Sequence, residues 1–144
     1  MHADERRSAE NSREEYLHAA LTDRIIGVFY DVYNELGFGF LESVYHNAIV
    51  VALKQAGLRV ESRAKVPVWF RGELVGEFEV DVLVEGKILL ELKAARDFDS
   101  SHEAQLLNYL RATPIETGLL LNFGPKPQIP RRAFENSRKR PPSK

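Results

Sequence analysis

The chain has 144 residues, 44% of them hydrophobic, and a formal net charge of −1; this sets the expectation of one folded domain and excludes wholesale disorder and a chain-wide polyanion binder. It has no cysteine, which excludes thiol catalysis, thiolate zinc sites and disulfide stapling but leaves the redox compartment open. Residues 1–15 lack the apolar stretch of a secretory signal, and the longest uninterrupted apolar run, 48–53, falls far short of the roughly 20 residues of a membrane span, so the expectation is a soluble, cytoplasmic protein.

Residues 1–13 are polar and read as a flexible N-terminal segment. Over 14–35 the apolar residues recur at helical spacing, through Leu17, Leu21, Ile25, Val28, Phe29, Val32 and Leu36. Gly37 and Gly39 close that helix. A second helix is expected over 41–56, with Leu41, Val44, Tyr45, Ala48, Ile49, Ala52 and Leu53 inward and Gly57 as its stop. The period then changes to two. Residues 58–70 read as a strand in which Val66, Val68 and Phe70 alternate, and Pro67 confines it to an edge or a bulge. After a turn at Arg71-Gly72-Glu73, strands are expected over 74–84 and 87–93. Ser100 and Glu103 have capping-box spacing for a helix running to about Ala112. Residues 118–123 are short and apolar, as suits a buried strand after a crossover helix. The order α-α-β-β-β-α-β predicts an α/β fold with a mixed sheet flanked by helices, over 14–124. The basic, proline-containing tail, 125–144, reads as loop and then disorder.

Side-chain parity in the second hairpin fixes where its acids point. Phe78, Val80, Val82 and Val84 share one face of the first strand, and Glu77, Glu79, Asp81 and Leu83 the other. In the next strand Ile88, Leu90 and Leu92 alternate with Lys87, Leu89, Glu91 and Lys93. A two-residue loop at Glu85-Gly86 would mix apolar and charged residues on both faces. A connection with an odd count pairs even positions with even positions, leaving one face apolar and gathering Asp81, Glu91 and Lys93 on the other. Two carboxylates on adjacent strands can share a hard divalent cation that keeps open positions for water and a phosphate oxygen. Lys93 is then placed to orient the attacking water or to neutralise charge on the phosphate. Gln105 and Tyr109, four apart, share a helix face with His102 nearby. Each feature also has a plainer reading. Glu-x-Lys on a strand is often an exposed ion pair of little value, and Asp81 also fits an acidic solvent face with Glu77 and Glu79. Against that, an unpaired acid among valines and leucines is costly without a cation or donor.

Asp81 with Glu91-Leu92-Lys93 resembles the PD-(D/E)xK nuclease motif, with Val80 where proline often stands. Gln105-x-x-x-Tyr109 resembles the QxxxY motif of the RecB-like exonuclease branch, and Gly39-Phe40-Leu41-Glu42-Ser43-Val44-Tyr45 resembles the motif of the GxxExxY protein family within that superfamily. The similarity runs over about 25–123. It implies a restriction-endonuclease-like αβββαβ core but supplies no substrate; with the acid pair, the expectation is a magnesium- or manganese-dependent enzyme hydrolysing phosphodiester bonds of nucleic acid, DNA ahead of RNA. The resemblance also implies metal binding by Asp81 and Glu91, a catalytic role for Lys93, an acid at Glu42 on the helix facing the site, and support of the site or backbone contact by Gln105 and Tyr109.

Glu42 also suits the first turn of its helix through the helix dipole alone. The basic residues Arg131, Arg132, Arg138, Lys139 and Arg140 are able to contact phosphates, but a solvated tail is the expectation. Trp69 reads as packing, and His46 and His102 lack a ligand-spaced partner for zinc. Two competing functions stay open: a non-catalytic nucleic-acid-binding or accessory module that keeps the fold, and a structural homodimer whose acidic face is merely solvated.

Overall fold

The computed structural model describes residues 2–97 and 99–139, with side-chain placement from residue 18 onward. In chain order its elements are α1 (His2–Leu36), α2 (Glu42–Gln55), β1 (Val60–Phe70), β2 (Glu73–Val84), β3 (Ile88–Lys93), α3 (Ser100–Ala112), β4 (Thr117–Asn122) and β5 (Arg131–Ala133), with a 3-10 turn at Asn136–Arg138. The strands lie in the order β1-β2-β3-β4-β5. All neighbours are antiparallel except β3 and β4, which run parallel because α3 carries the chain across between them. The molecule is therefore the expected α/β fold, a mixed sheet between helices.

The core has two sides. On one, Ile25 and Phe29 of α1 and Tyr45, Ile49 and Leu53 of α2 pack with Val82, Val84, Ile88, Leu90, Leu92, Leu119 and Leu121 of the sheet. On the other, Leu106 of α3 packs with Val80, Leu89 and Leu120. All six residues of β4 are buried, as a strand covered by helices on both faces requires. Gly118 allows α3 to approach: a Cβ there would lie 2.7 Å from Leu106 Cδ1.

The hairpin connection has the odd count that parity demands, since Val84 pairs with Ile88 and Val82 with Leu90. Glu85 and Gly86 both take positive φ, 55° and 63°, and the Lys87 N–H donates to the Val84 carbonyl. Farther down β2 the parity reading fails. Val80 and Phe78 face α3 rather than joining Val82 on the α1/α2 side. The partner strand switches at the same level: Val60 packs on the α1/α2 side, whereas Ala64 and Val66 pack on the α3 side. Between them Arg63 adopts φ 54°, the left-handed conformation, inside a strand. One such residue reverses which face later side chains occupy, and strict alternation cannot anticipate it.

Three boundaries differ from expectation. α1 begins at His2 rather than near Glu14. Asp99, not Ser100, caps α3, its carboxylate accepting from the N–H groups of Ser101 and His102. The tail does not leave the body as loop and disorder over its described part. β5 pairs with β4 through Thr117–Ala133 and Leu119–Arg131, Ile129 packs on the core, and Lys139 Nζ donates to the carbonyls of Thr113 and Ile115 at 2.7 Å each. An Arg-Arg-Ala strand carries no apolar pattern; it forms because β4 needs a partner for its outer main-chain groups.

Candidate active site

The site lies where β2 and β3 part. Their ladder pairing is formed by Val82–Leu90, Leu83–Leu89 and Val84–Ile88. At the next level the Asp81 side chain takes over from the main chain: its Oδ2 accepts from the Leu92 N–H at 2.8 Å. The Asp81 N–H donates in turn to Glu91 Oε1 at 3.3 Å. Glu91 alternates with Leu90 and Leu92, which belong to the α1/α2 side of the core, so it points to the α3 side with Lys93. The two acids thus meet through reciprocal contacts, and Lys93 follows Glu91 on the same face. Lys93 itself is half-buried.

Glu91 is only 5% exposed. Burial, and then the neighbouring Asp81 carboxylate, push its carboxyl up to about 8, against the pull of the Asp81 N–H and of Lys93. A carboxyl in that state is one that a cation would ionise. Asp81 and Glu91 supply only hard oxygen donors, and among the described residues no group of three His, Cys, Asp or Glu side chains is gathered to hold a metal. Two carboxylates alone offer the oxygen donors of a hard divalent cation and lack the nitrogen and sulfur donors of a structural zinc centre.

From α3, Gln105 Nε2 donates to Tyr109 Oη at 2.6 Å. The Tyr109 ring stacks on Phe78 with centroids 4.2 Å apart and planes 2° from parallel. Burial raises the Tyr109 hydroxyl pKa, and Glu91 and Asp81 add to that rise while Gln105 opposes it, so this hydroxyl stands in the field of both acids. The face reversal in β2 makes that possible, because it turns Phe78 toward α3. His102 is half-buried in the first turn of α3, 4.0 Å from Asp99 Oδ2.

Glu42 is not gathered with the acids. It opens α2, is exposed, and makes no side-chain hydrogen bond or ion pair among the described residues. Its motif neighbours have structural work instead. Gly39 has φ 115°. The Tyr45 hydroxyl donates to the Gly37 carbonyl and accepts from the Phe40 N–H, and its ring stacks on Phe123 at 4.5 Å. Gly39 and Tyr45 thereby fix the α1–α2 corner, and Glu42 is the motif residue for which packing gives no reason.

The sequence reading assigned no role to two buried polar residues, His46 and Asn122. His46, one turn after Glu42, sits against β1 with Nε2 2.7 Å from Ser62 Oγ. Burial and Arg63 lower its pKa, while Asp81 and Glu79 oppose that shift. Asn122 is fully buried at the end of β4. Its Oδ1 accepts from the N–H groups of Ala95 and Gly124 at 3.0 Å, and its Nδ2 donates to the Ala95 carbonyl at 2.8 Å. The Phe123 N–H meets the Lys93 carbonyl at 2.8 Å, so Asn122 and Phe123 hold the chain at the lysine and just after it. An asparagine closing the run Leu119-Leu120-Leu121 was the available signal.

The sequence pattern of the PD-(D/E)XK nuclease superfamily matches residues 19–132, from α1 into β5. The chain belongs to that superfamily, whose members generally use divalent metals on nucleic-acid substrates. In fold it is similar to the protein solved as "Crystal structure of SSO0001", with a TM-score of 0.53 and 18% identity over 65% of this chain and 50% of that one. The chain thus spans about half of that protein, and the likeness concerns the fold alone. No curated protein matches the chain. No described helix is long and apolar enough to cross a membrane.

Proposed function

We propose that this protein is a divalent-metal-dependent nuclease that hydrolyses phosphodiester bonds, in DNA rather than RNA, and that it falls in the GxxExxY branch of its superfamily. The reciprocal contact of Asp81 with the Glu91-Leu92 segment, Lys93 following on the same face, carries this reading. Asp81 and Glu91 hold magnesium or manganese. That cation supplies Lewis-acid polarisation of the phosphate and a more acidic water.

The chain's own groups do the rest. Lys93 either orients the attacking water or offsets charge growing on the phosphate oxygens. The Tyr109 oxygen is engaged as an acceptor by Gln105, which leaves its O–H to donate toward substrate. Phe78 keeps that ring in place. Glu42, exposed in the first turn of α2 where a carboxylate also suits the helix dipole, contributes once substrate is present.

Labelled single- and double-stranded DNA and RNA, incubated with magnesium, with manganese and with chelator, test the proposal. Cleavage of DNA that chelator abolishes is the expected result. No cleavage of any substrate by the parent protein supports the accessory-module reading instead.

A further inference from the structure

We propose a second nucleic-acid contact, a phosphate-backbone surface on the α3 side of the sheet, centred on Arg111, Phe134 and Arg138. It rests on the nuclease reading for the identity of its partner and on charge and geometry for its existence. The net charge of −1 conceals a strong asymmetry. Residues 111–144 hold eight of the twenty basic residues and two of the twenty-one acidic ones. The remainder of the chain, acid pair included, is net negative, so a polyanion approaching the cleft needs attraction from elsewhere.

The folded tail sorts its cations by task. Arg132 pairs with Glu103 of α3, and Lys139 is consumed by the Thr113 and Ile115 carbonyls. These two fasten the tail. Arg111, in the last turn of α3, and Arg138, in the 3-10 turn, lie on the Phe134 ring with guanidinium carbons 5.1 and 5.2 Å from its centre. Both are exposed, and neither makes an ion pair among the described residues. A guanidinium seated over a ring is restrained in position while its N–H groups can still reach phosphate oxygens. Of the acids close by, Glu103 is engaged by Arg132 and Glu116 by the Asn136 N–H at 2.9 Å, while Glu135, next to Phe134 in the chain, makes no side-chain cap hydrogen bond and leaves one acid beside the two arginines. The Gln105–Tyr109 pair is on the flank of α3 that meets Phe78, while Glu103 and Arg111 are on the flank that meets the tail. The acids act on the Tyr109 flank of α3, and the two arginines lie with the tail.

The test uses the full chain and a labelled duplex of about 20 base pairs in chelator, so that no chemistry intervenes, with anisotropy read over a salt series. Each phosphate contact adds about 0.9 to the slope of log affinity against log salt. The double substitution Arg111→Ala/Arg138→Ala is expected to weaken binding about tenfold, and to make the slope shallower by about two, with the melting temperature unchanged. Arg111→Lys/Arg138→Lys is expected to keep the slope. Parent-like affinity and slope in the alanine pair overturn the proposal, as does a parent that does not bind. If the surface behaves as stated but neither metal yields cleavage, the nuclease reading fails alone. If the parent cleaves and the alanine pair binds like it, the surface fails alone.

Discussion

Glu91 shows most directly how one residue couples folding to the proposed chemistry. Its carboxyl is raised to about 8 in the folded chain, by burial first and by Asp81 second; unfolded, it titrates near the ordinary glutamate value of 4.5. Between those two values the unfolded state has lost a proton that the folded state retains. Stability of the metal-free protein therefore falls as pH rises from about 4.5 to about 8. A cation that binds the ionised pair reverses the penalty, so magnesium or manganese should raise the melting temperature more at pH 8 than at pH 5. Glu91→Gln should flatten both dependences, and thermal melts across pH, with and without metal, check this. Asn122 makes a separate prediction. Asn122→Leu leaves the Ala95 and Gly124 main-chain groups without partners, at a cost on the order of 3 kcal/mol in denaturant unfolding. A loss below about 1 kcal/mol would mean that water replaces the amide. Glu91 was placed by turn count and strand period, since β3 alternates regularly, whereas the period breaks at Asp81, between Val80 on the α3 side and Val82 on the α1/α2 side. Asn122 and His46 were not legible, because their partners come from segments far away in the chain.

At the scale of elements, the β1–β2 hairpin decides the site. Arg63, in left-handed conformation between Ser62 and Ala64, lies where both strands exchange faces. Its ion pair with Glu79, at 4.0 Å and exposed, adds little. Glycine adopts this conformation without penalty, whereas a β-branched residue does not. Arg63→Gly should thus match or exceed the parent in stability, and Arg63→Val should lose on the order of 1–2 kcal/mol. The Leu92 amide, bonded to the Asp81 carboxylate, reports the consequence: its NMR shift and exchange protection should change in the valine variant only. Equal behaviour of the two variants would remove the backbone argument. Periodicity located β2 and β3 but predicted Phe78 and Val80 on the wrong side, since β1 and β2 exchange faces together at the level of Arg63 and only Arg63 carries a positive φ there. β5 went unseen for a related reason: its formation depends on the open edge of β4 and not on its own residues.

For the whole molecule, the superfamily match and the two-sided core agree on a restriction-endonuclease-like α/β domain, and α3 links the acid pair on one flank to the arginine surface on the other. Fold class was readable because buried periodicity specifies layers. The roles of Asp81, Glu91 and Lys93 rest on chemistry that a fold by itself does not guarantee. The decisive measurement pairs calorimetric titration of magnesium and manganese with turnover on DNA, for the parent, Glu91→Ala and Lys93→Ala. The proposed roles predict that Glu91→Ala loses both metal binding and cleavage. Lys93→Ala should bind metal like the parent and lose at least about a hundredfold in turnover, because the lysine acts on water or transition-state charge and not on the cation. Parent-like turnover in Lys93→Ala, or unchanged metal affinity in Glu91→Ala, would contradict it.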